Sequence, residues 1–179
     1  INGAALGGVF EICLCCNRRI AWNDRSVKLG QPEVTLGLLP GAGGVVRMTH
    51  LLGLEAAMPY LIEGRQVLPE EALAVGLIDE TVERLEELHH RARSWINEVQ
   101  QEPEAAKQPW DRVGHKIPGG SSNSPRIAPR IGVASAMLFK KTRGLLPAPE
   151  CILDVMVEAG RMDFDTALRI ESRKFAGLV

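Results

Sequence analysis

The sequence predicts an α/β fold over its first half and a run of helices over its second half. In residues 1–80, short extended stretches alternate with apolar helical segments, and clustered glycines separate them. After residue 80 the apolar residues recur at helical spacing, interrupted by a segment rich in proline, glycine and serine. We therefore expect three parts: a domain over residues 1–102, a linker over residues 103–130 and a helical connector over residues 131–179.

Local patterns predict the individual elements of the first part. Gly7 and Gly8 lead into an apolar run that predicts a helix over residues 9–16, and the stretches at 19–22 and 27–30 are predicted to be extended. Apolar residues spaced three and four apart predict the further helices of this part. These cover residues 45–52, 54–62 and 69–75, followed by an extended piece at 77–79 and the clearest helix over 81–101.

The last part of the chain predicts three helices, because proline and glycine separate three amphipathic stretches. The first covers residues 131–143 and ends at Gly144. The second covers residues 149–160, and the third runs from residue 165 to the end of the chain.

Composition excludes several classes of function. The 179 residues include 21 Lys and Arg against 22 Asp and Glu, which gives a net charge of −1. Contacts with a phosphate backbone need an excess of basic residues, so we expect no nucleic-acid partner. No apolar run approaches the roughly 18 residues that a membrane span requires, so we expect no membrane span. Because the chain begins at Ile1, we expect it to be a piece of a longer protein.

The cysteines predict a reduced protein without a metal site. Cys13, Cys15 and Cys16 lie in the first apolar helix, and Cys151 lies far from them along the chain. No second Cys or His pair stands at metal-ligand spacing, so we predict buried, reduced thiols and no bound metal. His89 and His90 are adjacent in a helix and are predicted to form a surface pair.

Two glutamates are candidates for acid–base chemistry. Glu11 stands near the start of an otherwise apolar helix, where it also suits the helix dipole, and Glu33 follows Pro32, where a turn residue is equally acceptable. If the fold brings both into one apolar cleft, burial and mutual repulsion separate their pKa values. One carboxylate then acts as a base while the other holds a proton, which suits the activation of a water molecule.

Two glycine turns are candidates for binding negative charge. Gly7 and Gly8 enter a helix and can present backbone N–H groups to a developing oxyanion, although tight packing explains the same glycines. The amides of the segment at 41–44 are able to bind an anion or simply to form a turn. That segment matches neither a P-loop nor a dinucleotide fingerprint.

Four segments resemble the crotonase family, the enoyl-CoA hydratases and isomerases. They are Asn2–Glu11, Gly30–Val34, Leu36–Gly44 and Ala74–Asp79, and they follow one another in the family's order. The resemblance implies the later portion of the crotonase (ClpP-like) spiral fold. It also implies site residues: Glu11 and Glu33 as the catalytic acids, Gly8 as an oxyanion-hole amide, and Gly7, Pro40 and Gly41 as substrate-binding residues.

Two later segments resemble the connector of multifunctional fatty-acid oxidation proteins. They are Lys140–Pro149 and Asp163–Arg173. In such proteins the connector joins the hydratase to a 3-hydroxyacyl-CoA dehydrogenase, so the resemblance implies NAD as the cofactor of that absent domain. It also allows a thiolase subunit as a partner. The implied location is the cytoplasm of a bacterium, with a peroxisome or mitochondrion as the alternative.

The function implied by the resemblance is the hydration of a trans-2-enoyl-CoA thioester to a 3-hydroxyacyl-CoA in β-oxidation. That step needs no cofactor or metal, because coenzyme A is part of the substrate. Two alternatives stay open: an enoyl-CoA isomerase without hydratase activity, and a non-catalytic fragment for acyl-CoA binding or assembly. The sequence departs from the family at Val9, which is often a third glycine, and the upstream part with the other oxyanion amide is absent. We therefore expect the isolated chain to be inactive.

Overall fold

The computed structural model describes residues 1–179 and contains four short strands among eight α-helices. The strands are β1 (Ala5–Leu6), β2 (Ile20–Trp22), β3 (Leu29–Gly30) and β4 (Glu80–Val82). The first five helices are α1 (Gly8–Cys15), α2 (Gly44–Leu52), α3 (Leu54–Leu61), α4 (Pro69–Val75) and α5 (Glu87–Val99). The last three are α6 (Ala128–Thr142), α7 (Pro147–Ala159) and α8 (Phe164–Ala176). Short 3₁₀ helices cover Glu33–Leu36, Pro103–Ala106 and Pro109–Asp111.

The strands form two parallel pairs. In the first pair Ala5 lies opposite Leu29 in β3, and in the second Ile20 lies opposite Glu80 in β4. Parallel neighbours need a crossover connection, and here helices and loops provide it. The α/β fold predicted from the sequence is therefore confirmed.

The helices after residue 130 share a core with the strands. The core is one cluster of 28 buried residues that extends from Ala5 to Ala167. Ile152 and Met156 of α7 are fully buried in it, and α7 packs against α2 and α3. The segment predicted as a connector therefore packs on the domain that precedes it.

The segment over residues 103–130 also packs on the domain. Gln108 is buried, and its Nε2 donates to the carbonyl oxygens of Leu14, at 3.3 Å, and Cys16. Ser121 donates its hydroxyl proton to the carbonyl oxygen of Gly160 at 2.6 Å. These hydrogen bonds join the segment to α1 and to the end of α7.

The predicted helix over residues 81–101 is wrong at its start. Residues 80–82 form β4, and α5 begins only at Glu87. The reason is tertiary, because β2 offers a parallel partner whose backbone groups pair with this stretch. The extended piece predicted at 77–79 consequently lies just before the strand rather than within it.

The cysteines are free thiols, but their predicted burial is wrong. Cys15 and Cys16 are exposed, and Cys13 and Cys151 are only partly buried. The buried face of α1 consists of Phe10, Glu11 and Leu14, and Cys15 and the following Cys16 lie outside it. His89 and His90 are exposed on α5, as predicted. None of the helices has the length and apolarity that crossing a bilayer requires.

Candidate active site

The two glutamates follow neighbouring parallel strands. Register pairs Leu6 at the end of β1 with Gly30 at the end of β3. Beyond β1 the chain enters α1, which carries Glu11, and beyond β3 it enters the 3₁₀ helix that begins with Glu33. The carboxyl ends of parallel strands are where α/β proteins commonly bind ligands. Both carboxylates therefore lie at the same edge of the β1–β3 pair.

One oxygen of the Glu11 carboxylate is held by a turn of backbone. Glu11 is only 4% exposed, and its Oε1 accepts hydrogen bonds from the amides of Ala42 and Gly44, both at 2.8 Å. Its Oε2 accepts no hydrogen bond from the chain. The arrangement fixes the orientation of the carboxylate and leaves one oxygen available.

The Glu33 carboxyl is less buried than that of Glu11, and its pKa is raised above the ordinary value. Burial raises its pKa, its own backbone amide lowers it, and the negative charge of Glu11 raises it further. The fully buried Gln31 lies beside this carboxyl. With its amide nitrogen facing the carboxyl, Gln31 donates to Oε1 at 3.2 Å and to Oε2 at 3.1 Å. Sequence reasoning missed Gln31, for which the only signal is its position two residues before Glu33.

A glycine is required where the chain enters α1. Gly7 has a φ of +58° and ψ of −134°, which side chains strongly disfavour. A Cβ at this position would lie 2.7 Å from Oε1 of Glu33, so the glycine also makes room for that carboxyl. Its carbonyl oxygen accepts from Glu11 N–H at 3.0 Å, the first helical hydrogen bond of α1.

The next amide in this turn is available to a ligand. Gly8 is exposed, and its N–H donates no hydrogen bond within the chain, since it precedes the first helical donor. Val9, which departs from the glycine usual in the family, is 56% exposed. Its side chain therefore extends toward solvent and does not fill the turn.

The turn at residues 41–44 binds carboxyl groups that the chain itself supplies. Ala42 and Gly44 donate to Glu11, whereas Gly43 and Val46 donate to the two carboxyl oxygens of Glu171, the latter at 2.9 Å. The sequence left open whether this segment is a structural turn or a binding site for an anion. It is a structural turn, and its amides hold two acidic side chains.

Glu171 is the third carboxyl of the site, and sequence reasoning missed it. It is fully buried, and its pKa is raised to about 8. Burial is the main cause, and the charge of Glu11 contributes to the increase, whereas the hydrogen bonds from two backbone amides lower the pKa. The available signal is helical spacing. Glu171 stands three residues after Leu168 and four before Phe175, so it is a single acid on an apolar helix face.

The remaining predicted site residues lie on the same turn. Pro40 is buried, and its Cβ lies 2.8 Å from the position that a Cβ on Gly44 would take. Gly41 lies against the ring of Phe175. The structure therefore brings all six predicted site residues into one region, while the binding of substrate by Gly7, Pro40 and Gly41 stays a prediction.

A large cavity lies away from these residues. It has a volume of about 880 Å³ and lies between α5 and the segment around β2. Its walls include Leu88, Trp95 and Cys13, and neither Glu11 nor Glu33 borders it. The candidate site is consequently defined by its polar geometry rather than by the depth of a cavity.

Comparison with known proteins finds relatives over the whole length of the chain. A family profile described as enoyl-CoA hydratase/isomerase matches residues 1–119. Among curated relatives, the fatty acid oxidation complex subunit alpha of Shewanella halifaxensis is 34% identical over 179 residues, which is all of this chain and 24% of that protein. The subunit of the same name from Shewanella frigidimarina is 33% identical over 185 residues. The chain thus spans about a quarter of the length of these relatives.

Solved structures show the same fold. An enoyl-CoA hydratase from Bacillus anthracis has a TM-score of 0.52 and 27% identity, over 98% of this chain and 50% of that chain. An enoyl-CoA hydratase from Bacillus halodurans has a TM-score of 0.51 and 25% identity, over 93% of this chain and 57% of that chain.

Proposed function

Because the chain belongs to the enoyl-CoA hydratase/isomerase family, we propose that Glu11 and Glu33 add water across the double bond of a trans-2-enoyl-CoA thioester. The observation that carries this proposal is the position of the two carboxylates. They lie at one edge of the β1–β3 pair, next to a turn whose Gly8 amide is free. The proposed product is a 3-hydroxyacyl-CoA, an intermediate of fatty-acid β-oxidation.

The Gly8 amide supplies an electrophile in this proposal. A thioester carbonyl oxygen that accepts a hydrogen bond from Gly8 gains stabilisation as the carbonyl develops enolate character. The absence of a side chain at Gly7 and Gly8 lets the carbonyl approach the backbone closely. This polarisation makes C3 of the enoyl group susceptible to attack by water.

The two glutamates divide the proton transfers. Two amides orient the Glu11 carboxylate through Oε1 and leave Oε2 without a donor, so Glu11 suits the base that removes a proton from water as oxygen bonds to C3. Glu33, whose pKa burial raises, suits the acid that delivers a proton to C2. Together the two transfers add one water molecule across the double bond. They leave Glu11 protonated and Glu33 ionised, and both carboxyls return to their initial states when a proton passes from Glu11 to Glu33 through solvent.

Replacing each glutamate by glutamine tests the proposal in the complete protein. Hydration of crotonyl-CoA, followed by the loss of enoyl-thioester absorbance, should fall about 100- to 10,000-fold in Glu11→Gln and in Glu33→Gln. The matched control is Glu102→Gln, which changes an exposed acid. Circular dichroism checks that the variants fold. Near-normal turnover in either site variant would contradict the assignment.

Two rival functions are distinguished by the choice of ligand. An isomerase without hydratase activity would convert 3-enoyl-CoA to 2-enoyl-CoA and leave crotonyl-CoA unchanged. A non-catalytic module would bind acyl-CoA in a calorimeter without turning over either substrate. The presence of two acids beside one free amide favours hydration over both rivals.

The longer protein to which this chain is expected to belong would add further activities. A 3-hydroxyacyl-CoA dehydrogenase with NAD, and a thiolase subunit as partner, stay predictions that follow from the resemblance of the later segments. The downstream reading frame tests the first of them, because a dinucleotide fingerprint should follow a strand there. Purification of the complete protein with its partners tests the second.

A further inference from the structure

One face of α8 lies on the turn that holds Glu11. Leu168, Glu171 and Phe175 are spaced three and four residues apart, so they share this face. All three contact the turn at residues 41–44. The helix α8 begins more than 100 residues after the turn, and it closes the turn on the side that faces the core.

The turn contains glycine where α8 approaches it. A Cβ on Gly41 would lie 2.6 Å from the ring of Phe175, which is too close for any real side chain. A Cβ on Gly43 would lie 3.0 Å from Cδ2 of Leu168. The backbone of the turn is thus in direct contact with α8, and a displacement of the helix would be transmitted to it.

The amides of the turn alternate between two carboxylates. Going along the chain, Ala42 donates to Glu11, Gly43 to Glu171, and Gly44 to Glu11 again. Val46 then donates to the second oxygen of Glu171 at 2.9 Å. The peptide groups on both sides of the Gly43 amide therefore hold Glu11, and their orientation depends on the hydrogen bond that Gly43 makes.

We propose that Glu171 is a positioning residue for hydration, which holds the turn at residues 41–44 so that the amides of Ala42 and Gly44 orient Glu11. The inference rests on the proposed role of Glu11 as a catalytic residue. Glu171 itself is fully buried and acts through the turn rather than on the substrate. The segment after residue 130 is in this proposal a part of the hydratase and more than a connector.

The test replaces Glu171 by glutamine in the complete protein. Glutamine preserves the size of the side chain but places an NH₂ group against one of the two donor amides. Because a displacement of about 1 Å near the reacting groups reduces rates up to ~100-fold, we expect kcat for crotonyl-CoA to fall about 10- to 100-fold. KM should change less than about threefold, since substrate does not touch Glu171.

A second measurement does not depend on activity. Hydrogen–deuterium exchange of the peptide that contains residues 41–46 should become at least about tenfold faster in Glu171→Gln. The matched control is Asp165→Asn, which changes an exposed acid of the same helix. It should leave the exchange and kcat unchanged. If Glu171→Gln does not fold, Glu171→Asp, which keeps the carboxyl group and shortens its reach, takes its place.

The outcomes separate this proposal from the proposed function. Unchanged exchange at residues 41–46, or unchanged kcat while Glu11→Gln is inactive, would overturn the role of Glu171 alone. Full activity of Glu11→Gln would overturn the proposed function, and the role of Glu171 in hydration would fall with it. Faster exchange and a lower kcat, with KM changed less than about threefold, would together support the role.

Discussion

The carboxylates of Glu11 and Glu171 accept hydrogen bonds from alternate amides of a single turn, although they belong to the first and last helices of the chain. Backbone amides at a helix N-terminus can bind an external anion, and here two carboxyl groups of the chain occupy them. The start of α2 therefore links the candidate catalytic acid to α8. This relationship has consequences for the stability of the protein as well as for its proposed chemistry.

The buried carboxyl of Glu171 should make the stability of the chain fall as pH rises. Its folded pKa is about 8, above the ordinary value of 4.5, so between these values the folded state binds more protons than the unfolded state. The free energy of unfolding should therefore decrease by on the order of 3 kcal/mol between pH 5 and pH 8. Urea titrations at several pH values measure this slope. Glu171→Gln should flatten it, whereas an equally steep slope in that variant would assign the effect to other groups.

His50 should make the chain less stable as the pH falls, which is the opposite of the effect of Glu171. His50 is buried in an aromatic cluster with Trp110, His115 and Phe164, and neither of its ring nitrogens has a hydrogen-bond partner. Burial and, to a smaller extent, the nearby His115 together lower its pKa to about 4. The unfolded state then binds the proton more readily, so stability should be lost as pH falls from 6.5 toward 4.

Replacing His50 by phenylalanine tests this prediction, because phenylalanine keeps an aromatic ring and cannot take up a proton. The melting temperature of His50→Phe should depend less on pH between 6.5 and 4 than that of the unmodified chain. The exposed His90→Gln is the control and should not alter the dependence. Acid sensitivity that persists in His50→Phe would place its origin outside this cluster.

The conformation of Gly7 predicts a costly substitution. In Gly7→Ala the new methyl group would occupy a disfavoured backbone conformation and would lie 2.7 Å from Glu33. We expect a loss of about 1–3 kcal/mol in stability, together with reduced hydration because Glu33 is displaced. The control is Gly132→Ala on α6, where a Cβ meets no atom within 4 Å. That variant should be as stable as the original or more so, since alanine favours helix.

Gln31 should influence the proton held by Glu33. Gln31→Leu fills the same buried position with a side chain of similar size, but it removes the amide that donates to both oxygens of that carboxyl. Loss of these donors should raise the pKa of Glu33 further and move the alkaline limb of the hydration profile to higher pH. Steady-state rates across a pH series measure the shift. The exposed Gln101→Leu should have no such effect, and an unmoved limb in Gln31→Leu would exclude this role.

Some features follow from local sequence because their causes are local. Gly7 leads into α1, Gly76 ends α4 in a left-handed conformation, and α8 begins after Asp163, whose side chain accepts from Thr166 N–H. Each involves residues within one turn of backbone, so the pattern contains the whole interaction. The pairing of Glu11 with Glu33 was different, since each residue alone also suited an ordinary structural role. Resemblance to a family, rather than spacing, predicted that pair.

Local sequence patterns were sufficient to predict the glycine turns and most helix positions, and resemblance was sufficient to predict the family. They did not predict that residues 80–82 form a strand, that Gln31 lies against Glu33, or that Glu171 shares a turn with Glu11. The physical reason is that strand pairing and the burial of a carboxyl depend on backbone amides contributed from distant parts of the chain. Helical spacing placed Glu171 on an apolar face, but only packing against α2 showed what that face covers.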